Sequence, residues 1–82
     1  MSFYVYMLIN KDRFIKKTYV GYTNDLKKRL LLHNSSKGAK FTRGKKWKII
    51  YKKRFYDKRL AMSFEYKLKK DLKKRRYLLS IS

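Results

Sequence analysis

Apolar residues in this chain fall in short runs separated by lysine-rich stretches, and the periods within those runs predict a small α+β fold. Phe3 to Ile9 (FYVYMLI) is unbroken aromatic, aliphatic and β-branched sequence, as expected of a buried strand. Asn10 to Lys17 is polar and charged and predicts a loop. Thr18 to Thr23 (TYVGYT) predicts a second strand, with an internal glycine where backbone approaches another group closely. The two strands are expected to pair as an antiparallel hairpin. Thr23 or Asn24 suits a helix cap, with Asp25 in a first turn where its charge favours the dipole, and that helix is expected to run to about Asn34. Ser35 to Lys46 reads as a basic loop, Trp47 to Phe55 (WKIIYKKRF) as a third strand. Asp57 caps a second helix predicted from Lys58 to about Arg75, with a potential break near Lys73 and a short docked turn over Tyr77 to Ile81. The order is β-β-α-β-α, a three-stranded antiparallel sheet flanked by helices.

Eighty-two residues, 1–82, suffice for a single domain. Eight tyrosines and five phenylalanines give it the means to build a core, which a disordered basic tail lacks. Charge then narrows the partners. There are 25 Lys+Arg against 5 Asp+Glu, a formal net charge of +20. Such a surface draws polyanions from a distance and binds phosphate backbones by releasing counterions, so nucleic acid is the expected partner. Cysteine is absent and there is one histidine, which excludes disulfides and cysteine-ligated zinc. A metal would be a hard cation on oxygen, Mg²⁺ or Mn²⁺. No apolar run reaches the roughly 18 residues that span a bilayer, and Met1-Ser2-Phe3 opens no signal-peptide pattern, so a soluble, cytoplasmic protein with no membrane partner is expected.

The helical wheel puts polar groups where apolar ones belong. At about 100° per residue, Leu26, Arg29, Leu30 and His33 share one arc of the first helix. Ala61, Phe64, Leu68 and Leu72 form the inward stripe of the second, and Glu65, the chain's only glutamate, lies within the same arc. An inward charge is costly unless paired or bound to a metal. One reading is a structural ion pair between Glu65 and Arg29 with His33 as a satisfied core residue. The other is a shared site, since all three point toward a sheet that carries tyrosines.

Those residues resemble the GIY-YIG nucleases over nearly the whole chain. Tyr4-Val5-Tyr6 followed by Thr18-Tyr19-Val20-Gly21 is similar to the paired motif that names the family, with Tyr4 standing where the name has glycine. Arg29 and His33 keep the family's spacing from Gly21. Lys37-Gly38-Ala39-Lys40-Phe41-Thr42-Arg43 resembles the basic loop of its small single-domain bacterial branch, itself similar to the structure-selective nuclease subunit of eukaryotes. Glu65, within Phe64-Glu65-Tyr66, matches the family's metal-binding glutamate.

The resemblance implies an endonuclease acting on structured or single-stranded DNA in repair or recombination, with RNA left open. It implies one Mg²⁺ or Mn²⁺ ion on Glu65 and Arg29 steadying phosphoryl charge. Tyr6 or Tyr19 would be the base, with His33 assisting by hydrogen bonding or as a relay. A tyrosine base demands nearby positive charge, because its reference pKa is about 10. Gly21 is expected to serve backbone proximity. Lys37, Lys40, Arg43, Lys45 and Lys46 are expected to touch phosphates, Phe41 and Trp47 are candidates to stack on unpaired bases, and core packing is the first expectation for Trp47. With no room for the separate DNA-binding domain that many relatives carry, specificity would come from this domain or from a protein partner. Two rivals are a non-catalytic basic nucleic-acid clamp and a ribosome-associated structural protein; neither needs Arg29, His33 and Glu65 to converge.

Overall fold

A computed structural model describes residues 2–10 and 17–82; most of the predicted loop between the first two strands, residues 11–16, lies outside them. Strands β1 (Phe3–Asn10), β2 (Thr18–Thr23) and β3 (Trp47–Phe55) form one antiparallel sheet in the order β2-β1-β3. The strand with the longest apolar run is therefore central, and it is buried from Val5 onward. Its alternation divides the core in two. Val5 and Met7, with Val20 of β2, meet Ala61, Leu68 and Leu78. Tyr6 and Leu8 point the other way and pack with Trp47, Tyr19, Leu26 and Leu30.

A bulge reconciles β3 with this division. Met7 pairs with Tyr51 but Leu8 with Ile49, leaving Ile50 as the extra residue. Ile50 and Tyr51 thus both join the first cluster while Ile49 joins the second.

Helix α1 (Leu26–Asn34) begins one residue later than the sequence suggests. Asp25 is the cap rather than a first-turn residue, its carboxylate accepting from Lys28 N at 3.1 Å, while Thr23 Oγ1 accepts from Asp25 N at 3.1 Å. At the other end Lys37 N reaches back to Leu32 O at 2.8 Å, and Ser36 takes the left-handed conformation (φ 62°) that this closure requires. Asn34 then clasps the first residue of β3. Its amide donates to Trp47 O at 3.1 Å and its carbonyl accepts from Trp47 N at 2.6 Å.

The second predicted helix is two. Helix α2 (Lys58–Lys70), capped by Asp57 as expected, stops at Asp71, and α3 (Leu72–Ser80) follows. Asp71 closes one helix through its N–H to Leu68 O (3.2 Å) and opens the next by accepting from Lys74 N (3.0 Å). Continued straight, the stripe would have buried Leu72; the turn instead leaves Leu72 49% exposed and brings Leu78 into the core. Tyr77 to Ile81 is accordingly no separate turn, because α3 runs through to Ser80. Among the described residues no helix is long and apolar enough to cross a membrane.

Candidate active site

The register of the hairpin sets the first element of the site. Tyr6 stands directly across from Gly21, so both face the same side of the sheet. A Cβ on Gly21 would sit 2.6 Å from the Tyr6 hydroxyl oxygen, closer than a side chain tolerates, and a tight 3.1 Å from the Tyr19 ring. The missing side chain is what lets the phenol lie flat across β2. Tyr19, two residues earlier on the same face, places its ring centroid 6.4 Å from that of Tyr6.

Helix α1 covers this face with Arg29 and His33. The His33 ring is fully buried, 5.9 Å from the Tyr6 ring and 5.0 Å from Tyr19, centroid to centroid. Both ring nitrogens are engaged: Nε2 lies 2.9 Å from the Tyr6 hydroxyl and Nδ1 2.8 Å from Thr42 Oγ1. Thr42 spends its single proton on Ala39 O at 2.8 Å. It must therefore accept from Nδ1–H, which leaves Nε2 as the acceptor for Tyr6 O–H. Burial, and after it the charge of Arg29, lowers the His33 pKa, in keeping with a neutral ring. Gly38 closes the pocket, since a Cβ there would meet Nδ1 at 2.6 Å and the His33 Cα at 3.1 Å.

Arg29 faces both phenols. Its interaction with the Tyr6 hydroxyl is the main influence raising its pKa, with Tyr19 adding to it against the cost of burial. Its Nε is buried and has no acceptor. Tyr6 itself is only 2% exposed, and burial pushes its pKa up to about 12 against the opposing hydrogen bond and charge of Arg29, with the Glu65 carboxylate adding slightly to the rise. Tyr19 is less enclosed and lines an open cleft.

Glu65, from α2, is near enough to act on Tyr6 electrostatically. Its side chain is 16% exposed, and it pairs with Lys69 one turn on (3.4 Å) rather than with Arg29. Among the described residues there is no group of three or more His, Asp and Glu side chains able to hold a metal. The donor that Glu65 offers is carboxylate oxygen alone. It suits a cation that keeps most of its waters and draws further ligands from phosphate, as Mg²⁺ and Mn²⁺ do.

Tyr6, Tyr19, Arg29 and His33 thus face one another across β1, β2 and α1, while Glu65 of α2 reaches this group through its charge on Tyr6 and makes its ion pair with Lys69. Of the basic loop, Lys37, Lys40, Arg43 and Lys46 are exposed and Lys45 partly so, with its Nζ 5.9 Å from the Phe41 ring centre. Trp47 is core, as the packing reading expects, its indole donating to Thr42 O at 3.0 Å. Phe41 is half exposed. Thr42 and Gly38, which fix His33, and Asn34, which anchors the loop, were not marked by any signal in the sequence beyond lying within that loop or at its edge.

Residues 2–78 match the family model described as the GIY-YIG catalytic domain. A UPF0213 protein of Oceanobacillus iheyensis is 45% identical over 67 residues, covering 80% of this chain and 74% of that one. A UPF0213 protein of Clostridium perfringens is 47% identical over 68 residues, covering 82% and 70%. The solution NMR structure of the UPF0213 protein BH0048 from Bacillus halodurans superposes with a TM-score of 0.58 at 38% identity, over all of this chain and 86% of that one.

Proposed function

The chain belongs to the GIY-YIG catalytic-domain family, a nuclease family, and from that premise we propose that it is a metal-dependent endonuclease hydrolysing phosphodiester bonds in structured or single-stranded DNA. The observation that carries the reading is a partly buried guanidinium, that of Arg29, set beside two phenols and an imidazole with no carboxylate ion-paired to it among the described residues. A partly buried cation without a counter-charge is unfavourable until an anion completes it, and a phosphate fits a guanidinium fork well.

The roles follow from exposure and charge. Arg29 binds the phosphoryl oxygens and strengthens its hold as negative charge grows on them. Glu65 holds one Mg²⁺ or Mn²⁺, which when bound supplies Lewis-acid stabilisation of the phosphate and leaving oxygens. Tyr19, as the phenolate beside Arg29 and with its own proton already given up to solvent in the open cleft, receives the proton of the attacking water. Tyr6 is poorly suited to that task. It is almost closed to solvent, and a phenol at about 12 is ionised to only about one part in 10⁵ at neutral pH. Tyr6 and His33 serve instead to position Arg29 and the Tyr19 ring, and Gly21 gives the Tyr6 ring its room. Lys37, Lys40, Arg43, Lys45 and Lys46 hold the flanking backbone by charge. A repair or recombination role, and a protein partner adding specificity, suit a basic domain of this size.

The test is incubation of the purified chain with single-stranded, flapped and duplex DNA, with and without Mn²⁺, beside Glu65→Ala and Arg29→Ala. Metal-dependent cutting by the wild type, lost in both variants while low-salt binding persists, is the expected result. Inert wild-type protein with every substrate and metal would instead favour a clamp that binds by charge alone.

A further inference from the structure

Next to the cluster, Thr18, Tyr19, Val20, Phe41, Lys69 and Arg75 line an open cleft of about 180 Å³. Tyr19 and Val20 are neighbours on edge strand β2 whose side chains leave opposite faces, so the cleft wraps the sheet edge from the α1 side to the α2–α3 side. Two residues of its lining are chemically suited to a nucleotide. Phe41 lies nearly parallel to Tyr19 (22°, centroids 6.2 Å apart) yet remains 50% exposed. Arg75, one turn before core residue Leu78 and so on the same side of α3, has a buried Nε with no acceptor. A half-exposed aromatic ring and cations set in the wall of the same cleft are the two halves of a nucleotide site.

We propose that this cleft is a nucleotide subsite: an unpaired DNA base stacks on Phe41, and the phosphate beside it pairs with the Arg75 guanidinium, with Lys69 as a second cation. A base inside a duplex has both faces covered by its neighbours and cannot offer one to Phe41, whereas a splayed base can. The inference deepens the endonuclease reading and rests on it for the place of the scissile phosphate. It makes an unpaired nucleotide next to the cut a determinant of substrate choice.

The test reads binding without metal, so that it does not depend on cutting. Wild-type chain is titrated, in EDTA, into oligonucleotides carrying 2-aminopurine either at an unpaired position or within a blunt duplex. Fluorescence of the unpaired probe should be quenched on binding, and quenching should vanish in Phe41→Leu, which keeps an apolar contact with Tyr19 and Trp47 but has no ring. Arg75→Gln should raise the Kd for the unpaired probe roughly tenfold and leave the duplex Kd unchanged. Quenching that survives Phe41→Leu, or equal losses for both probes in Arg75→Gln, would overturn the subsite. Quenching by a protein that never cuts DNA would remove the endonuclease reading and leave the subsite standing; cutting without quenching would do the reverse.

Discussion

The Tyr6 hydroxyl and His33 Nε2 meet at 2.9 Å in a pocket closed to water, and the direction of that hydrogen bond is fixed from the far side of the ring by Thr42. The proton sits on Tyr6 and points at His33. This makes Tyr6 a donor whose lone pairs are free for Arg29, and it separates the two phenols of the site into one that organises and one that meets the solvent.

That separation gives a paired prediction. Tyr6→Phe leaves the buried Nε2 of His33 without a donor and should cost about 1–3 kcal/mol of stability, read as the urea midpoint. Tyr19→Phe should cost under about 1 kcal/mol, because Tyr19 is only partly buried beside an open cleft, yet abolish cleavage. Stable Tyr19→Phe protein that cuts at the wild-type rate would refute the assignment. The folded pKa of Tyr6 lies near 12 against an unfolded value of about 10, so its contribution is complete below pH 10 and fades as pH rises toward 12. Tyr6→Phe should lack that alkaline loss.

Packing against the two glycines is the next test. Gly21→Ala places a methyl 2.6 Å from the Tyr6 oxygen, and Gly38→Ala one 2.6 Å from His33 Nδ1 with backbone close behind. Neither ring has room to retreat, so each change should destabilise the chain by about 1–3 kcal/mol and lower cleavage sharply. Gly44→Ala is the contrast. It meets no atom within 4 Å but sits at φ +74°, so any cost is local backbone strain, with cleavage unchanged. Equal activity in all three variants would contradict the close approach.

How much of this was readable beforehand follows from what each signal depends on. Strand positions came through because apolar runs bounded by charge are local: Thr18–Thr23 and Trp47–Phe55 hold to the residue. The convergence of Tyr6, Arg29 and His33 was legible because a helical wheel reports which angle a side chain takes. The same wheel failed at Leu72, since the period continues through Asp71 while the capping of Lys74 N by the Asp71 carboxylate decides the chain's course. Nor does an angle give reach, which is why Glu65 pairs along its own helix with Lys69 instead of across to Arg29. Thr42 and Gly38 were invisible for a further reason. Their importance lies in contacts with a ring nine and five residues earlier, and nothing in a basic loop marks one hydroxyl or one glycine as facing inward.

Acid should weaken the fold through His33. Its folded pKa is lowered by burial and by Arg29, so above the unfolded value of about 6.5 its contribution is complete. As pH falls below 6.5 the unfolded chain takes up a proton that the native ring refuses, and stability declines. Between pH 7.5 and 5.5 the loss should be at most about 1.4 kcal/mol, visible as a falling urea midpoint. His33→Gln, though weaker at every pH, should show a flatter profile over that interval. A wild-type midpoint that rises on acidification would reverse the sign and the argument with it.

Glu65 offers the cleanest separation of binding, folding and metal dependence. Its only ion pair among the described residues is with the half-exposed Lys69, an i,i+4 contact worth about 0.3–0.5 kcal/mol, so Glu65→Gln should fold almost as well as the wild type. Low-salt DNA affinity should hardly change, because one charge in a chain of net +20 barely alters the long-range field. Cleavage should disappear in both Mg²⁺ and Mn²⁺. The exposed loop gives the opposite pattern: Lys37→Gln combined with Lys40→Gln should weaken binding to every DNA and flatten the dependence of log K on log salt by roughly two phosphate contacts, about 1.8 in slope. Cleavage at saturating protein should persist there. Were Glu65→Gln instead to lose affinity while keeping its rate at saturation, the carboxylate would belong to substrate attraction and not to the chemistry.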